Sequence, residues 1–229
     1  MKYKNLFFDL DDTLWAFSLN ARDTYEEMYW KYGYDRYFDS FEHYYSLYQR
    51  RNLDLWAEYA DGKVTKEELN RQRYLYPLEA VGAGDSTLAK AYERDALTMI
   101  PTKSKLMPHA REVLNIFEEH TICTFFQMGL KNSKVIKCVR RALMNISKVV
   151  LSDDIGTLKP WPEIFHFALS TTQSELNNSL MIGDSWENDI VGAAGVGMHQ
   201  VFYNLSGRTD LPFAPTYQIT DLKDLFNFL

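Results

Sequence analysis

The sequence predicts a doubly wound, mostly parallel α/β sheet of Rossmann-like type, with an all-helical domain inserted after the first strand. Three observations carry this. The apolar run Leu6-Phe7-Phe8 stops abruptly at Asp9, Asp11 and Asp12, as a strand buried on both faces does when it reaches a ligand-facing edge. From 17 to 100 the chain carries helical signals without a strand signal. Beyond 100, short apolar strands alternate with helices, the pattern of a parallel sheet with crossovers. The expected division is a core of 1–16 with 101–229 and a helical domain of 17–100.

Composition narrows the function classes. A chain of 229 residues with 46% hydrophobic residues can bury a core. Its net charge of −6 argues against a nucleic-acid polymer as partner, because phosphate backbones are held by a basic surface. No apolar run approaches the roughly 20 residues of a membrane span. Met1-Lys2-Tyr3-Lys4 leads straight into a strand, without a signal-peptide pattern. Cys123 and Cys138 form no disulfide framework, so a reducing, cytoplasmic location is expected, with a monomer or weak homodimer.

In chain order, helices are expected over 21–32, 41–59, 65–76 and 86–99. Thr65-Lys66-Glu67-Glu68 is a capping-box start, and Gly62, Gly82 and Gly84 punctuate the gaps. Pro108 opens a helix to 119 with Val113, Leu114 and Phe117 on its apolar side. Strands are expected at 121–127, 149–152, 180–183, 200–203 and 217–220. Helices are expected at 163–171, 188–195 and 222–228, with Ser174 as the N-cap of a short turn.

Twelve of the fifteen tyrosines lie between Tyr25 and Tyr92. They either pack the helical domain's own core or, in part, stack on a planar substrate; for any single tyrosine the core reading is favoured. Phe17, close behind the carboxylates, is the residue for which substrate contact is expected. Arg50-Arg51 and the Arg71/Arg73 pair either reach a phosphate or form a solvated helix face.

A strand's period of two places Asp9 and Asp11 on one side if the chain stays extended. Two such carboxylates raise each other's pKa unless a cation neutralises them, and oxygen-only ligands suit Mg²⁺, which also bridges phosphate oxygens. The alternative is an acidic strand-to-loop turn capped by Thr13.

Three motifs in order resolve that choice. Asp9-Leu10-Asp11-Asp12-Thr13 follows the first strand, Lys159-Pro160 follows Gly156-Thr157-Leu158, and Gly183-Asp184-Ser185 with Asp189 follows Leu180-Met181-Ile182. Together they resemble the first, third and fourth motifs of the haloacid dehalogenase superfamily. The resemblance implies an α/β core with an inserted helical cap. It implies Asp9 as nucleophile and Asp11 as the acid and base. The metal ligands would be the Asp9 and Asp184 carboxylates and the Asp11 backbone carbonyl. Lys159 would neutralise phosphoryl charge, with Asp189 and Thr13 in support. Asp11 favours a phosphatase, because a halide leaving group needs no proton. The nearest resemblance is to the pyrimidine 5′-nucleotidases, which implies Mg²⁺ and a small phosphorylated substrate; a sugar phosphatase or phosphomutase shares the motifs.

The second motif departs from the family. Its strand should end in Ser or Thr, often within Leu-Ser-Asn-Gly-Phe, and here Gln127 and Met128 stand in that place. Gln127 can donate an amide hydrogen to phosphate, but from a longer arm; the alternative is a phosphatase-like binding protein impaired in turnover. A further reading is a shifted frame over 125–147. A family-like peptide beginning Ile-Leu-Ser-Asn-Gly-Phe, suitably encoded and read one base late, gives Phe125 to Ile146 without mismatch. Resequencing codons 120–150 decides between a shifted gene, a sequencing artefact and true divergence.

Overall fold

A computed structural model describes residues 2–118, 122–127, 148–151 and 156–229. Most of the 125–147 stretch, including Met128, therefore lies outside the described residues. The chain divides into two compact units, Met1–Ser18 with Ser104–Leu229, and Leu19–Lys103.

The first unit is built on a six-stranded sheet of order β3-β2-β1-β4-β5-β6. Its strands are β1 (Asn5–Asp9), β2 (Ile122–Gln127), β3 (Lys148–Leu151), β4 (Ser179–Gly183), β5 (His199–Tyr203) and β6 (Tyr217–Ile219). Every described pairing is parallel, with Phe8 opposite Phe125 on one side and Ile182 on the other. All five residues of β1 are buried, which explains its unbroken apolar run. On one face Phe7, Met181 and Val150 pack with Ile164, Phe165 and Ala168. Strand order reverses between β1 and β4, so the carboxyl ends of these two strands form the edge where open α/β sheets hold ligands.

The second unit contains α1 (Phe17–Lys31, which begins in the first unit), α2 (Phe41–Ala60), α3 (Lys66–Ala80) and α4 (Ser86–Met99). Side chains cap three of these starts: Ser40 accepts from His43 N at 3.1 Å, Thr65 from Glu68 N at 3.1 Å, and Asp85 from Leu88 N at 2.9 Å. Its interior is aromatic. Tyr44, Tyr74 and Tyr92 are each 1% exposed or less, and the Tyr92 ring packs at tilted angles against the other two. The packing reading of the tyrosines therefore holds for these residues.

Several boundaries differ from expectation for physical reasons. Helix α3 continues past Pro77 to Ala80, because Tyr74, Leu75, Pro77 and Leu78 are buried and packing outweighs the missing proline donor. After α5 (Ala110–Glu118) and α6 (Pro162–Thr172), Ser174 caps no turn; its hydroxyl oxygen accepts from Thr172 Oγ1 at 2.7 Å. The helix expected over 188–195 is a π-helical turn, Trp186–Val191, running into the short α7, Gly192–Gly195. The closing segment is a 3-10 helix, Leu222–Asn227, with a capping box between Asp221 and Asp224. Among the described residues no helix is long and apolar enough to cross a membrane.

Candidate active site

β1 ends at Asp9, so the period-two argument does not carry as far as Asp11. The chain turns there instead, with Trp15 N and Leu14 N both donating to the Leu10 carbonyl, at 2.9 and 3.0 Å. Asp12 supports the turn at φ 57°, a left-handed conformation that Asp tolerates better than most residues. Its carboxylate accepts from Ser18 N at 2.9 Å and from Ser18 Oγ at 2.5 Å, tying the turn to the start of α1.

Thr13 is fully buried and joins the ends of β1 and β4. Its hydroxyl donates to Asp184 Oδ1 at 3.0 Å and accepts from Asp184 N at 3.1 Å. Lys159, followed by a cis proline peptide, reaches inward and is 4% exposed. Its ammonium donates to Asp9 Oδ1 and, at 2.6 Å, to Asp189 Oδ1. The other Asp189 oxygen accepts from Ser185 N at 3.1 Å. The π-helical turn thus returns Asp189 to the strand end that precedes it. Gly183 makes room for this: a Cβ there would meet the Asp189 carboxylate and lie 2.6 Å from its Cβ.

The electrostatics follow from burial. Burial pushes the Asp9 carboxyl well above the ordinary carboxylate range, against the pull of Lys159 and with the added push of Asp189, Asp11 and Asp184. Burial, with Asp12 alongside, pushes Asp11 up to about 7. Burial and Asp189 push Asp184 up to about 6, although the Thr13 hydrogen bond opposes them. Burial disfavours the Lys159 ammonium, but Asp189 and Asp9 outweigh it and hold the pKa above the usual lysine value.

These residues fit a hard cation. One carboxylate oxygen from each of Asp9, Asp184 and Asp189 lies within 4.8 Å of the others. Among the described residues the buried Asp11 Oδ1 has no hydrogen-bond partner. An all-oxygen donor set with clustered negative charge is what Mg²⁺ selects.

The structure thus brings together Asp9, Asp11, Thr13, Lys159, Asp184 and Asp189. Phe17 begins α1 half-buried, its ring 5.8 Å from that of Trp15. Gln127 is the last residue of β2, opposite Leu151 and one position beyond the Phe126 that pairs with Asp9. Asp12, Gly183 and Ser185 stand within the motifs named from sequence, but sequence assigns them no separate role there. A third acid directly after the Asp9/Asp11 pair and a glycine directly before Asp184 were the available signals.

The haloacid dehalogenase-like hydrolase family matches residues 3–197. The chain belongs to that family. It is 26% identical over 232 residues to pyrimidine 5′-nucleotidase YjjG of Escherichia coli, covering 100% of this chain and 99% of the relative. It is 30% identical over 240 residues to the glyceraldehyde 3-phosphate phosphatase of Pyrococcus furiosus, covering 100% and 93%. Among solved structures, the HAD-hydrolase YfnB of Bacillus subtilis, crystallised with magnesium, superposes with a TM-score of 0.88 at 23% identity, covering 100% and 99%. This last similarity shows that the fold is shared.

Proposed function

We propose that this protein is a Mg²⁺-dependent phosphatase that hydrolyses small phosphomonoesters through a phosphorylated Asp9, with pyrimidine nucleoside 5′-monophosphates as its preferred substrates. The observation that carries the reading is the buried Lys159 ammonium shared between Asp9 and Asp189, beside an Asp11 whose carboxyl is raised to about 7. Names of relatives support the substrate class: besides the Escherichia coli protein, pyrimidine 5′-nucleotidase PynA of Streptococcus pneumoniae is 24% identical over 238 residues.

The Asp9 carboxylate, the Asp11 backbone carbonyl and the Asp184 carboxylate would hold Mg²⁺, which supplies charge neutralisation for an incoming phosphate. Lys159 sets the orientation of Asp9 and adds positive charge where the phosphoryl oxygens sit. A carboxylate oxygen of Asp9 bonds to phosphorus as the ester P–O bond breaks, and Asp11 gives its proton to the leaving oxygen. Asp11, now ionised, takes a proton from water; that water attacks phosphorus, releasing orthophosphate and restoring Asp9. Thr13 keeps Asp184 in place, and Asp189 keeps Lys159 in place.

The test is phosphate release from a panel of nucleoside monophosphates and sugar phosphates, with and without EDTA. Activity that is highest on pyrimidine nucleotides and abolished by EDTA is expected. Activity indifferent to EDTA overturns the metal-dependent reading, and a sugar phosphate as best substrate overturns the nucleotide preference.

A further inference from the structure

The arginines of the helical unit look alike in sequence and differ in their surroundings. Arg71 is exposed, and its guanidinium is occupied by Glu68, at 2.9 Å from Nε and 2.6 Å from Nη2. Arg51 is held by Glu58 at 2.8 Å and by Gln72. Arg73, on α3, differs from both. Its Nη1 reaches Asn52 Oδ1 of α2 at 3.4 Å, and its buried Nε has no partner among the described residues. Among the described residues no carboxylate pairs with it. Glu93 lies near enough to feel its charge, but burial outweighs that pull and leaves the Glu93 carboxyl above its ordinary range.

The guanidinium also stands over the ring of Tyr74, 5.0 Å from its centroid, which restricts the plane it can adopt. With Nη1 directed to Asn52, the Nε–Nη2 edge is left. That edge offers two parallel N–H groups, the fork that matches an oxyanion. Burial disfavours the Arg73 cation, while the neighbouring phenols and Glu93 favour it, so the charge is kept although no described carboxylate bonds its Nε–Nη2 edge.

We propose that Arg73 and Asn52 form an oxyanion-binding site within the helical unit. The site takes a phosphate or carboxylate group through the Nε–Nη2 edge of Arg73, with the Asn52 amide as a further donor and the Tyr74 ring fixing the plane. It stands independently of the phosphatase reading, since it uses none of the residues at the sheet end.

The test is a titration of the full ¹⁵N-labelled chain in EDTA, following the Arg73 Nε–H resonance, which Arg73→Lys identifies by its loss. Orthophosphate, acetate and chloride are added separately. A saturable shift with orthophosphate or acetate and none with chloride is expected, and the stronger of the two names the group. The shift should persist in Asp9→Asn, which separates this site from the sheet end. A resonance that neither oxyanion moves up to tens of millimolar, or that moves in parallel with Arg71 Nε–H, overturns the proposal. Arg73→Met provides an independent check. In an Asp9→Asn background, the oxyanion that shifts the Arg73 resonance should raise the melting temperature of the Arg73-containing protein and not that of Arg73→Met; an equal rise in both overturns the site.

Discussion

The end of the sheet and the interior of the helical unit both bury polar side chains, and they satisfy them by different means. At the sheet end the buried groups are charged: Lys159 and Asp189 side chains are 1% and 0% exposed and face each other at 2.6 Å. In the helical unit, Arg73 apart, they are neutral, and most are phenols. Tyr25 OH meets Tyr48 OH at 2.8 Å and Tyr74 OH at 3.4 Å, and Tyr92 OH donates to the Tyr25 carbonyl at 2.7 Å. Burial raises the pKa of the phenols and of the carboxyls Asp9, Asp11 and Asp184, with different consequences. Raising Tyr25 or Tyr92 keeps a neutral group neutral. Raising Asp11 to about 7 brings a carboxyl into the range where it exchanges protons near neutrality. The phenols are suited to packing and the carboxylates to chemistry.

Substitutions can break this contrast. The largest effect is expected for Asp9→Asn, which keeps shape and removes the nucleophilic charge. Turnover on the best phosphomonoester should fall by about a thousandfold or more, roughly 4 kcal/mol in the barrier, with an unchanged circular dichroism spectrum. Activity within tenfold of the parent would remove Asp9 from the nucleophile role.

Lys159→Met leaves Asp9 and Asp189 buried without their shared cation. Urea unfolding should show a loss of about 3 kcal/mol, the scale for breaking a buried charge pair. Adding Asp189→Asn should restore part of it, because the two changes remove partners of one bond. Additive losses would show that the pair is not coupled.

Tyr25→Phe tests the neutral side of the comparison. It deletes one hydroxyl from the phenol network and should cost about 1 kcal/mol in the same assay, leaving turnover unchanged. A loss as large as that of Lys159→Met would erase the distinction between the two regions.

The smallest effect concerns acid. Hydrogen bonds from Arg71 and then Gln72 hold the Glu68 carboxyl down to about 2. A depressed carboxyl binds fewer protons folded than unfolded, so its contribution is present above the unfolded value of about 4.3 and lost as pH falls toward about 2. Between about pH 5 and about pH 3, the urea midpoint of the parent should therefore drop further than that of Glu68→Gln. Equal drops would show that this exposed cluster contributes nothing measurable.

Much of this organisation was legible in sequence because it rests on local rules. An apolar run ending in acids marked β1, and Thr65 three residues before Glu68 marked the start of α3. Asp9, Lys159 and Asp184 stood out because each sits at the end of a recognisable element. The altered stretch at Gln127 was visible as a departure from the family motif, and the structure describes only its first residues.

What sequence by itself determined was the order of strands and helices, their apolar faces and the identities of the acids. These follow from periodicity and from side-chain types within a few neighbouring residues. Tertiary structure alone decided that Thr13 grips Asp184, 171 positions away, and that Lys159 bridges Asp9 and Asp189. It alone separated Arg73 from Arg71, two residues apart, one with an unpartnered Nε and one paired at the surface. Burial and charge pairing are properties of distances across the fold, and no local pattern encodes which cation will find its anion.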